Sequence, residues 1–134
     1  MENNYTITQS CTLPSLGRVY PVEVDPHITL RSMTTMEEMR RLSHSDRQLK
    51  VLCDIIDDCM VEKCAISSYD MIVGDYQYLL HQLRIATYGP KYKLQNTCPH
   101  CLHINEDVVD LSQLNVFEFT EDILTLLTVE LPVT

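Results

Sequence analysis

The run GPKYKLQNTCPHCLHINEDVVDL, Gly89 to Leu111, decides the fold. Gly89 suits the left-handed residue that closes a helix, and Pro90 blocks its continuation, so any preceding helix stops here. Lys91 to Thr97 reads as a strand, Cys98-Pro99-His100-Cys101 as a tight knuckle, and Leu102 to Leu111 as a returning strand. Ile104 and Val108-Val109 give that strand its β-branched character. A β-hairpin carrying CPxC therefore follows a helix, and the expected fold class is α+β.

Upstream of the stop, Tyr76, Leu79, Leu80, Leu83, Ile85 and Ala86 recur at helical spacing from an opening near Asp70 or Asp75. Before them Leu49, Leu52, Cys53, Ile56, Met60 and Cys64 mark an amphipathic helix of about five turns, with Ser45 as its cap and Gln48 three positions on. Thr34 and Thr35 each have a glutamate three positions later, Glu37 and Glu38, which is the reciprocal capping box of a short helix ending near Leu42. Nearer the N-terminus, residues 5–13 alternate loosely and Leu13-Pro14-Ser15-Leu16-Gly17 makes a turn. Val22, Val24, Ile28 and Leu30 then suggest extended segments broken by Pro21 and Pro26.

The expected organisation is a single domain over 1–134: a small irregular β element (1–33), three helices (34–89), the CPxC hairpin (90–116) and a C-terminal segment (117–134). In that segment Leu114, Val116, Phe117 and Phe119, then Ile123-Leu124 and Leu126-Leu127, lead through a short helix or turn into an extended piece, Leu127 to Val133. Residues 129–133 echo Cys11 to Ser15, which suggests the start of a further β element completed by more chain or by a neighbour.

At 45% hydrophobic and 22% charged residues, with 3 Gly and 6 Pro among 134, the composition is that of a folded globular protein. Lys and Arg total 10 against 19 Asp and Glu, a net charge of −9, so repulsion from phosphate argues against nucleic acid or an anionic membrane as partner. Met1 to Tyr5 contains no basic or apolar leader region, and no apolar stretch approaches the span of a bilayer. In a reducing cytoplasm the six cysteines read as thiols or metal ligands.

Cys98 and Cys101 supply half of a tetrahedral zinc site. The remaining ligands would come from His100, His103, Cys11, Cys53, Cys59 and Cys64. Cys53 and Cys64, however, fall about 20° apart on the apolar stripe, and Cys59 follows Ile55 and Ile56, so these three read as core. A dithiol oxidoreductase needs its first cysteine at a helix N-terminus, whereas a strand follows here. His44-Ser45-Asp46 has the residue types of a hydrolytic triad, but consecutive side chains diverge. Gly17, Gly74 and Gly89 are isolated and make no phosphate loop. Asp54, Asp57, Asp58 and Glu62 form a solvated helix face, and Arg84 with Tyr88 and Tyr92 reads as packing or a partner contact rather than an RNA platform.

The order of motifs says more than any one of them. The Leu-Pro-Ser-x-Gly turn (Leu13 to Gly17) precedes Ile28-Thr29-Leu30-Arg31, the Thr34 to Glu38 helix start, and Ile55-Ile56-Asp57-Asp58-Cys59. Asp75-Tyr76-x-x-Leu-Leu follows with Leu83-Arg84 and Gly89, and the CPxC hairpin closes in Val109-Asp110-Leu111. Over roughly residues 11–116 this order resembles the baseplate proteins of T-even-type contractile-tailed phages, a family of hub subunits and hub assembly proteins. Where that family's turn after CPxC usually carries glycine, this chain has Leu102. The resemblance implies a non-enzymatic component of a contractile tail, in the virion baseplate or in the host cytoplasm during assembly, bound to other baseplate or hub proteins in a hetero-oligomer. Unpaired strand ends at both termini would then add to a neighbour's sheet. The alternatives are a free-standing cytoplasmic zinc-ribbon adaptor and, third, a CxxC dithiol oxidoreductase.

Overall fold

The computed structural model describes residues 7–119 and 130–133. Thr8–Thr12 (β1) pairs antiparallel with His27–Arg31 (β2), Thr8 opposite Arg31 and Thr12 opposite His27. Gln9, Cys11, Ile28 and Leu30 therefore share one face, and three of the four are buried there. The link between the strands turns at Leu16 and Gly17, both at positive φ, and a Cβ on Gly17 would lie 2.4 Å from the Val24 carbonyl oxygen. Only glycine fits that approach. Residues 22–24, expected to be extended, join no strand, since Pro21 and Pro26 bracket them and withhold ladder donors.

The described residues form three α-helices, Thr35–Leu42 (α1), Gln48–Cys59 (α2) and Val73–Tyr88 (α3), of which α2 and α3 pack on this sheet and α1 packs on α2. Thr34 caps α1 in a capping box with Glu37, as its spacing predicts. The α2 boundaries differ from the sequence reading at both ends. Ser45 does not cap the helix: its Oγ accepts from the Arg47 N–H at 3.1 Å in a local turn, and Arg47 occupies the cap position. The helix ends at Cys59, because Met60 bridges to Leu30 and the Val61 N–H donates to the Thr29 carbonyl at 2.9 Å. The outer edge of β2 thus takes the chain out of the helix, and Cys64 lies beyond it. Leu49 is exposed, while Ile55 and Cys59 are buried with Cys53 and Ile56.

The core gathers Leu13, Val24, Ile28, Leu30, Ile55, Ile56, Met71, Leu79 and Leu83 between the β1–β2 sheet, α2 and α3. β2 holds one edge of the N-terminal strand and α3 packs on it, and among the described residues no strand pairs with its other edge.

Lys91–Thr97 (β3) and Ile104–Asp110 (β4) form the expected hairpin, followed by a 3-10 turn, Leu111–Gln113. Phe119 returns to the body, its N–H donating to the Pro14 carbonyl at 2.8 Å. The expected elements at Ile123-Leu124 and Leu126-Leu127 and the start of the last extended piece lie outside the described residues. Residues 130–133 belong to no strand.

Candidate functional site

Two buried carboxylates hold the body together. Asp75, 0% exposed in the first turn of α3, accepts from the Ser15 N–H at 3.1 Å, from the Ser15 hydroxyl at 2.5 Å and from the Tyr20 hydroxyl. Burial, with the Asp75 carboxylate beside it, pushes the Tyr20 hydroxyl far above its usual range. The anion also faces the positive end of α3. Two motifs of the sequence, Leu13 to Gly17 and Asp75-Tyr76-x-x-Leu-Leu, are thus one contact in space.

Glu37 of α1 is the second. It pairs with Arg31 of β2 at 2.5 Å, and Arg31 also donates to the Asp58 carbonyl of α2. Burial alone would raise the Glu37 carboxyl, but Arg31 and the Thr34 N–H hold it below the usual value. The acidic face of α2 is likewise occupied by protein: Asp54 by Lys50, Asp58 by Arg40, and Asp57 by the Ser67 hydroxyl and Ser68 N–H. Each of these groups ties one element of the body to another or to its own helix.

The hairpin is different. Every residue of β3 is exposed, and so are the first five of β4. The register sets Tyr92, Leu94 and Val109 on one face and Val108 and Ile104 on the other, so each face presents apolar side chains. Leu94 is 45% exposed, Ile104 54% and Leu102 75%. A two-stranded hairpin so little covered is marginal in water, and among the described residues no strand pairs with either of its edges. A second unpartnered apolar surface lies on α1, which buries Glu37 and turns Met36, Met39 and Leu42 outward.

Cys98 and Cys101 sit at the hairpin tip. The Leu102 N–H donates to the Cys98 carbonyl at 3.0 Å and the Cys98 N–H to the His103 carbonyl at 2.9 Å, which forces Leu102 to φ 58°. The Cys101 and His100 N–H groups point at the Cys98 sulfur and hold its thiol below the usual value. Cys11 and Cys59, by contrast, are pushed up to about 11 by burial in the core. The structure therefore does not bring the sequence's candidate ligands together. Cys11, Cys53 and Cys59 belong to the body, and among the described residues no three His, Cys, Asp or Glu side chains converge on one point.

At the foot of the hairpin a cavity of about 600 Å³ opens between α2, α3 and β3, lined by Leu52, Ile55, Leu80, Leu83, Tyr92 and Leu111. Arg84 borders it, its guanidinium 4.4 Å from the Tyr92 ring centre and 5.5 Å from that of Tyr88. Its buried Nε has no acceptor among the described residues, an arrangement that costs about 1–3 kcal/mol. Sequence reasoning found the Arg84, Tyr88 and Tyr92 grouping but missed the cavity, whose floor needs α2 folded against α3.

The sequence model of the family described as T4 bacteriophage base plate protein matches residues 5–132. No curated protein and no solved structure matches the chain.

Proposed function

The chain belongs to the T4 bacteriophage base plate protein family, a component of the phage tail baseplate, and from that premise we propose that it serves the baseplate hub, built into it or required for its assembly. It acts by protein contact rather than catalysis. The observation that supports this reading is the β3–β4 hairpin, with apolar side chains on both faces and no strand on either edge among the described residues, in a chain whose described buried carboxylates, Glu37 and Asp75, hold its own elements together. Strand addition to the hairpin edges and burial of Leu94, Ile104 and Val108 would join it to its neighbours. An acidic surface suits a precursor that stays soluble in the host cytoplasm until it is incorporated.

Cys98 and Cys101 offer zinc two thiolates at such an interface, with the other two ligands from the neighbouring subunit. Metal analysis of assembled tails carrying Cys98→Ser tests this, with loss of one zinc per copy as the expected result.

Tagged chain recovered from infected cells tests the function. Hub proteins should copurify with it and purified tails should contain it or need it to form. Recovery as a lone monomer, with normal tails assembled in its absence, would move the weight to a free-standing adaptor.

A further inference from the structure

We propose that the cavity at the foot of the hairpin receives a segment of a neighbouring baseplate protein in which an acidic side chain adjoins bulky apolar ones, its carboxylate pairing with Arg84. This deepens the baseplate reading and rests on it. The cavity supplies the apolar half of the argument: Leu52 and Ile55 from α2, Leu80 and Leu83 from α3, in a volume that holds several aliphatic side chains.

Arg84 supplies the polar half. The chain has almost two acids for each base, yet Arg84 has no carboxylate within ion-pair distance among the described residues. The nearby acid, Glu38, is already taken by Arg41 at 3.0 Å and by the Tyr88 hydroxyl. Tyr88 and Tyr92 carry the guanidinium on their ring faces, which orients its fork without filling its donors. The terminal NH2 groups of the guanidinium have no acidic partner among the described residues, and as a pair they match a carboxylate through two parallel hydrogen bonds. A phosphate would satisfy the same fork but would leave the apolar lining of Leu52, Ile55, Leu80 and Leu83 unused, so the occupant is peptide.

The test uses the full chain, isotope-labelled, and two acetylated, amidated peptides, Glu-Leu-Leu-Phe and Gln-Leu-Leu-Phe. The expected result is a shift of the Arg84 Nε–H and of the Leu52, Leu80 and Leu111 methyl resonances, with the glutamate peptide bound at least roughly 5-fold more tightly. That preference should shrink as salt rises from about 20 to about 500 mM, and Arg84→Gln should abolish it. Should Arg84→Gln unfold, Arg84→Lys should still lower it, since an ammonium cannot form the fork. Equal binding of the two peptides, an unchanged preference in the variants, displacement by a single-stranded oligonucleotide, or Arg84 shifts that follow chain concentration without peptide would each overturn the proposal. The titration needs no phage. A chain that binds as expected but is neither present in tails nor needed for them would defeat the baseplate role alone; a chain found there without the glutamate preference would defeat the pocket alone.

Discussion

β1 and β2 pair over five residues each and set Cys11, Ile28 and Leu30 against α3, whereas β3 and β4 pair over seven and, among the described residues, meet a helix only at their base, where Arg84 of α3 lies over Tyr92. Ladder hydrogen bonds are common to both sheets, so they do not account for the difference. Cover does: the first sheet is stapled by Asp75 to Ser15 and Tyr20 and by Arg31 to Glu37, while the second projects from the end of α3. The body supplies its own stability, and the hairpin is left to be completed by another surface. Each prediction below tests that division.

The largest effect should come from Asp75→Ala, which strands the Ser15 and Tyr20 donors in a dry core. A loss of roughly 3 kcal/mol in denaturant unfolding is expected. Replacing residues 92–109 with a short glycine linker, which removes far more chain, should leave the unfolding free energy of the body within about 1 kcal/mol. If the two changes cost the same, the division is wrong.

Next comes Glu37→Gln, expected to cost about 1–2 kcal/mol at neutral pH. The folded protein holds this carboxyl below the ordinary value for a glutamate, about 4.5. Its contribution is therefore fully present above that value and is lost as pH falls from about 4.5 through the lower folded value. Stability measured across that window should drop in the wild-type chain and drop less in the variant.

Much of the division was legible in the sequence. Gly89-Pro90 and the change of period at Lys91 placed the hairpin with both strands intact, because those signals are local. The end of α2 was not legible: Met60 continues the helical spacing, and only β2, distant in sequence, draws it into a bridge. Nor could an aspartate in a helical first turn be told from a solvated one until Ser15 and Tyr20 folded onto it. The candidate site was half legible for a similar reason. Arg84 and its tyrosines lie within nine residues of one another, but a guanidinium without an acidic partner is recognised only once the fold shows which acids come within its reach.

A smaller effect is expected within the hairpin itself. Leu102 adopts φ 58°, where a side chain costs about 1–2 kcal/mol, so Leu102→Gly should slow local opening of β3–β4 by up to about 1 kcal/mol and leave body unfolding unchanged. Smallest in energy is thiol reactivity. An alkylating reagent at neutral pH should modify Cys98 and Cys101 in the native chain while Cys11, Cys53 and Cys59 wait for the body to open, as peptide mass mapping over time would show. Equal rates at all five would deny that core and tip differ.

Amide hydrogen exchange, read on the free chain and again on the chain within purified baseplates, tests the division most directly. Free, the amides of 91–110 should exchange orders of magnitude faster than those of α2 and α3; assembled, protection should rise sharply across the hairpin and hardly at all in the body. A hairpin as open to exchange in the baseplate as in solution would contradict the claim that it is the surface by which this protein is joined to its neighbours.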